Sequence, residues 1–193
     1  MRLDSRRIVI FLLILAISIG FGFAFDGIVT AVERHNHPID ARYTAEIQKN
    51  AAEFGVPEAI LWATVCEESG FVSSLVSDTG EIGLMKLSAD RFSYICTELL
   101  GEPARDTGML YDPATNLRAG AAYLSALYRR YGVWETVFAA YAAGEAQVDA
   151  WLANPDYVSE QGRLQEIPDD EVADFVKDVT KSAELYQRLY FNK

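Results

Sequence analysis

From Tyr43 onward, apolar residues recur at helical spacing in one segment after another, and a glycine or a proline stands at almost every boundary. Tyr43, Ile47, Ala51 and Phe54 share one face, and Gly55 ends that segment. Pro57 opens the next, which carries Ile60, Leu61, Thr64, Val65 and Glu68. Residues 70–87 are rich in Ser, Asp and Gly and read as loop. Ser88 is placed to cap a segment whose Phe92, Ile95, Cys96 and Leu99 face inward, and Gly101 stops it. Asp112-Pro113 starts a long helix that ends near Gly132. Trp134 to Ala142, Glu145 to Leu152, and a last helix from about Asp169 to Tyr190 complete the set. No stretch alternates with the period of two that a half-buried strand shows. The pattern predicts an all-α domain of about seven helices around one core, spanning residues 43–193.

The N-terminal part is of a different kind. Ile8 to Phe25 is uncharged and mostly apolar, and as a helix it would span roughly 27 Å, close to the thickness of a bilayer's hydrocarbon core. Arg2, Arg6 and Arg7 precede it, and Asp26 and Glu33 follow, so the N-terminus is expected in the cytoplasm and the rest outside. Two readings fit: an uncleaved anchor over residues 1–25, or a signal peptide cut after Gly22-Phe23-Ala24. The run exceeds the usual apolar region of a signal peptide, which favours one N-terminal transmembrane helix. Residues 26–42 are then a linker. It contains His35 and His37, which read as solvated because no further His, and no nearby Cys, completes a metal site.

Charge excludes one class of partner. The chain has a formal net charge of −11, so nucleic acid is not expected as a ligand. Cys66 and Cys96 are the two cysteines, and export would permit a disulfide between them; both lie in predicted helices, where a thiol is commonly a small buried side chain. No metal and no cofactor is expected.

Three pieces of sequence carry the chemistry. Glu68 lies on the same helical face as Leu61, Thr64 and Val65, which can desolvate it, and near the C-terminal end of its helix, where the dipole also disfavours the anion. A carboxyl kept protonated in this way suits proton donation to a glycosidic oxygen. Glu67 points about 100° away, and periodicity alone does not choose between the two. Downstream stand Ser77-Asp78-Thr79-Gly80-Glu81-Ile82-Gly83-Leu84-Met85-Lys86 and Ala140-Tyr141-Ala142-Ala143-Gly144.

Glu68-Ser69-Gly70-Phe71 and these two segments, in this order, resemble the lytic transglycosylase family with the goose-lysozyme-like SLT-type catalytic domain, which cleaves peptidoglycan glycan strands. Tyr111 to Gly120, Tyr123-Leu124, Ile167-Pro168 and the tail from Tyr186 to Tyr190 extend the resemblance over about residues 43–190. It implies that Glu68 is general acid and then general base, cleaving the bond between N-acetylmuramic acid and N-acetylglucosamine with formation of a 1,6-anhydromuramoyl end. It also implies substrate contacts from Ser69, Ser77, Gly83, Met85, Lys86 and Tyr141, with Met85 equally readable as plain core. Asp78 and Glu81 read as solvated loop residues. Three positions depart from the family pattern: Lys86 stands where Gln is usual, Ala142 where Asn is usual, and Glu145 where Pro is usual. Ala142 removes an amide, and Lys86 sets a cation near the acid, which opposes its protonation.

Overall fold

The computed structural model describes residues 27–192, together with Ser18 and Phe25. The chain divides into two units, Met1–Pro38 and Ile39–Lys193. In the first, residues 27–36 are helical, so the stretch expected as a linker contains helix. The apolar run of residues 8–25, on which the expected transmembrane helix falls, lies outside the described residues apart from Ser18 and Phe25. Among the described residues no helix is long and apolar enough to cross a membrane.

The second unit is helical. Among the described residues α1 (Thr44–Phe54), α2 (Glu58–Ser69), α3 (Ala89–Tyr94), α4 (Pro113–Tyr131), α5 (Trp134–Ala143), α6 (Glu145–Leu152) and α7 (Asp170–Tyr186) follow one another. The ends are set largely by local chemistry. Gly55, Gly70 and Gly132 take left-handed conformations that close α1, α2 and α4. Ser88, Asp112 and Asp169 accept backbone N–H bonds as N-caps of α3, α4 and α7. Two helices run on in a wider turn, Ile95–Leu99 after α3 and Gln187–Phe191 after α7, where the periodicity had suggested uninterrupted helix. Isolated bridges join Val76 to Ile82, Ile82 to Leu87, and Val158 to Leu164; they are single pairings and form no named strand.

Helix α2 is the centre of the core. Ala59 through Val65 are all buried, so it presents no solvated face over two turns. It packs on α7, which in turn packs on α5; α4 packs on α1 and α5. Trp62 of α2 lies between Phe71 and Tyr186, with ring centres 5.8 and 6.2 Å away. Burying α2 in this way places its C-terminal residues Glu67 and Glu68 at the edge of the core, facing different neighbours.

Candidate active site

Helix α2 ends in two consecutive left-handed residues, Gly70 (φ 54°) and Phe71 (φ 66°). Phe71 adopts this unfavourable backbone because its ring is buried against Trp62. Glu68, two residues before this turn, lines a cleft of about 280 Å³. Glu68, Glu81, Lys86, Arg91, Tyr141 and Ala142 line one part of it; Asp169, Glu171, Val172 and Phe175 of the α7 start line the other. Through Ala142, Asp169 and Val172 the cleft continues into a groove that reaches Gln147, Trp151 and Pro168.

Only 9% of the Glu68 side chain is exposed, and its Oε2 lies 3.3 Å from Lys86 Nζ. These two facts act in opposite directions on its proton. Burial penalises the anion most, the Lys86 ammonium favours it, Glu81 opposes it and Arg91 favours it weakly. Burial wins, and the Glu68 carboxyl is pushed up from 4.5 to about 7. A carboxyl balanced near neutrality can both give and take a proton at physiological pH. Glu67, one residue earlier, is turned to α7, where its Oε1 accepts a hydrogen bond from Ser182.

Lys86 reaches Glu68 because the loop that bears it is pinned from below. Asn116 of α4 is fully buried. Its Oδ1 accepts from the Met85 N–H (2.8 Å), and its Nδ2 donates to the carbonyls of Ile82 (2.8 Å) and Leu110 (3.0 Å). Gly83 (φ 85°) makes this possible: a Cβ there would stand 2.2 Å from Asn116 Nδ2. Met85 is completely buried, with its sulfur in a notch over Gly120, where a Cβ would leave only 2.2 Å. From the other side Tyr141 donates to the Met85 carbonyl at 2.6 Å. Lys86 itself sits at φ 43°, the left-handed region that a residue with a side chain rarely takes.

The residues singled out from the sequence therefore divide. Glu68, Lys86 and Tyr141 meet in the cleft. Gly83 and Met85 support its floor from within the fold. Ser69 is buried and its hydroxyl donates to the Val65 carbonyl at 3.1 Å, as a helix-end serine does. Ser77 lies in the loop, where its hydroxyl accepts from the Glu81 N–H (3.0 Å) and donates to the Glu81 carboxylate (3.2 Å). Glu81, read from sequence as a solvated loop residue, lines the cleft, whereas Asp78 is exposed. Asp169, Glu171, Val172 and Phe175 were not singled out: α7 is far along the chain, and its amphipathic pattern marks only the face turned to the core. Asn116 and Arg91 were likewise unassigned. A polar Asn among apolar positions of a long helix was the available signal for the first; Arg91 carries no local mark.

Cys66 and Cys96 form no disulfide. Burial raises both thiols, so neither is poised as a thiolate. Among the described residues no group of three His, Cys, Asp or Glu is arranged to hold a metal ion.

The same fold recurs in known proteins. The chain is 34% identical over 93 residues to a membrane-bound lytic murein transglycosylase C of Yersinia enterocolitica, an alignment covering 47% of this chain and 25% of that protein. The Yersinia pestis protein of the same description matches over the same share. Among solved structures, an inactive mutant of the lytic transglycosylase Slt from Pseudomonas aeruginosa superposes with a TM-score of 0.69 at 28% identity, covering 81% of this chain and 25% of that one. The 70-kDa soluble lytic transglycosylase of Escherichia coli shares the fold at 24% identity, with a TM-score of 0.74 over 83% of this chain and 26% of that one. This chain thus spans about a quarter of the length of the relatives it matches. The transglycosylase SLT domain matches residues 45–162, a span that takes in α1 to α6, Glu68, the pinned loop and Tyr141. On that match the chain belongs to the transglycosylase SLT domain family.

Proposed function

We propose that this protein is a membrane-anchored peptidoglycan lytic transglycosylase whose acid and base is Glu68. The observation that carries the reading is a single buried carboxyl, balanced near pH 7, at the wall of a cleft in a domain of this family. In the reaction the Glu68 proton passes to the glycosidic oxygen as the bond from that oxygen to the muramoyl C1 breaks. Glu68, now ionised, takes the proton of the muramoyl 6-hydroxyl as its oxygen bonds to C1, which closes the 1,6-anhydro ring and restores the acid. One carboxyl serves both steps because the attacking oxygen belongs to the substrate. Mass analysis of the products from purified sacculi tests this: 1,6-anhydromuramoyl ends support it, reducing ends indicate a hydrolase, and intact sacculi remove the enzymatic reading.

A second reading has one observation in its favour. The Lys86–Glu68 ion pair occupies the acid, as would suit a glycan-binding or scaffolding module of the same fold. The pH dependence separates the two. The Lys86 charge favours the Glu68 anion, so Lys86→Gln keeps the carboxyl protonated to higher pH. The alkaline limb of the kcat/KM profile on peptidoglycan is expected to move upward. An unmoved limb would mean that the ion pair does not govern the reacting proton.

Anchoring rests on the apolar run of residues 8–25 with Arg2, Arg6 and Arg7 before it. Protease added to wall-stripped cells is expected to digest residues 39–193, and the protein is expected to sediment with membranes. Recovery of a soluble exported form beginning near Phe25 would replace the anchor by a cleaved signal peptide.

A further inference from the structure

Most arginines whose contacts are described here answer a carboxylate: Arg42 with Asp40, Arg105 with Glu102, Arg118 with Glu53 and Glu102, and Arg130 with Glu145 and Asp149. Arg91 is different. No carboxylate pairs with it among the described residues, in a chain of net charge −11. Its guanidinium lies instead on two aromatic faces, 5.1 Å from the Tyr123 ring centre and 5.4 Å from that of Tyr141. Helix α3 delivers it there, held by the Ser88 cap that accepts from the Arg91 N–H. Tyr123 also shares a hydrogen bond with the guanidinium; a guanidinium has five N–H donors, and those left over can bind a carboxylate through two parallel bonds.

None of the four acids that line the cleft, Glu68, Glu81, Asp169 and Glu171, forms an ion pair with Arg91. Glu81 is engaged by the hydroxyls of Ser77 and Thr79 at 3.2 Å each. Asp169 caps α7 through the N–H groups of Glu171 and Val172. Glu68 is taken by Lys86. Two cations therefore line one cleft, one braced and without a carboxylate, the other held by the residue that the reaction needs.

We propose that Lys86 and Arg91 together form a carboxylate clamp, and that the glycan taken by this site carries a free carboxylate beside the bond to be cut. The proposal rests on the glycan-cleaving reading of the cleft and adds the chemistry of the substituent. An external carboxylate between the two cations shares Lys86 and so draws it from Glu68, which loses the charge that favoured its anion. Binding of the substituent thereby prepares the acid. The carboxylate has two sources in a wall polymer: the lactyl group of a muramoyl residue stripped of its peptide, or the peptide stem itself.

The test uses the full chain with Glu68→Gln, so that probes stay intact, alone and combined with Arg91→Met or Arg91→Lys. Three tetrasaccharides of alternating N-acetylglucosamine and N-acetylmuramic acid are titrated calorimetrically: with free lactyl carboxylates, with lactyl carboxamides, and with amide-linked peptide stems bearing free carboxylates. A preference of at least about tenfold for a carboxylate probe over the carboxamide is expected. Arg91→Met should bring that ratio close to one, and Arg91→Lys should retain part of it. A preference confined to the stem-bearing probe identifies the stem as the source. The ratio is insensitive to a merely structural role of Arg91, which would weaken all three probes alike. Equal binding of carboxylate and carboxamide, a ratio that survives Arg91→Met, or no binding of any probe overturns the clamp. Sacculus digestion by the unsubstituted protein is independent of these outcomes: cutting without a carboxylate preference removes the clamp alone, and a preference without cutting removes the reaction alone.

Discussion

Glu68→Gln is expected to lower glycan cleavage by about 10²–10⁴-fold, the range that general acid–base catalysis contributes, while the domain stays folded. Gln has the shape of the carboxyl and no proton to transfer. Glu67→Gln serves as the control, because that carboxylate is turned to Ser182 on α7 rather than to the cleft; it should keep most of the activity. Reversal of the two results would move the acid to Glu67. The same variant carries a stability signature. The folded-state value of Glu68 is about 7 against an ordinary 4.5, so between these pH values the folded protein binds more protons than the unfolded chain. Stability then falls as pH rises through that window and levels off above it. The interval corresponds to about 3 kcal/mol, an upper figure because the Lys86 ammonium loses its partner in the variant. Glu68→Gln should therefore be more stable than the parent at pH 8 and no more stable at pH 4, as read by denaturant unfolding at the two pH values. An advantage independent of pH would show that the carboxyl is not held near neutrality.

Asn116→Ala is expected to be the most damaging single change away from the reacting groups. It leaves the Met85 N–H and the Leu110 carbonyl without the Asn116 amide in a buried place, while the Ile82 carbonyl keeps the Leu87 N–H. At about 1–3 kcal/mol for each unsatisfied group, a loss of about 4 kcal/mol follows, a large share of a domain's stability. Gly83→Ala reaches the same bond from the other side, since its Cβ would displace the Asn116 amide. Because Lys86 follows Met85 directly, both variants should also blur the pH dependence attributed to the Lys86–Glu68 pair. If chemical denaturation shows a loss below about 1 kcal/mol for Asn116→Ala, water or a shifted loop has replaced the pin.

The helical segments were legible in the sequence because their causes are local. Gly55, Gly132, Ser88 and Asp112 act on the turn in which they stand, and the structure has each where its spacing put it. The wider turns after α3 and α7 were not legible, because nothing in their apolar spacing distinguishes them from ordinary helix. Glu68 was legible as a candidate for the same kind of reason: three apolar or neutral residues share its face, and desolvation follows from sharing a face.

What the sequence could not separate was residues that lie in the same motif but work on different sides of the backbone. Ser69, Ser77, Gly83, Met85 and Lys86 stand within eighteen positions of one another. Lys86 alone among them turns into the cleft. Ser69 binds its own helix, Ser77 holds the loop acid Glu81, Gly83 makes room for an amide from α4, and Met85 fills the notch over Gly120. Motif order does not encode these directions, because each is set by what crosses beneath the loop from a distant part of the chain. The all-α class and the helix ends were thus determined by the sequence itself, through interactions that span a turn or two, while local periodicity left Glu67 and Glu68 both open as the candidate acid. The tertiary structure decided the balance of burial against the Lys86 charge at Glu68, the pinning of the loop by Asn116, and the placing of Arg91 on two aromatic rings. Those depend on distances between residues far apart in the chain, and such distances exist only once the helices have packed.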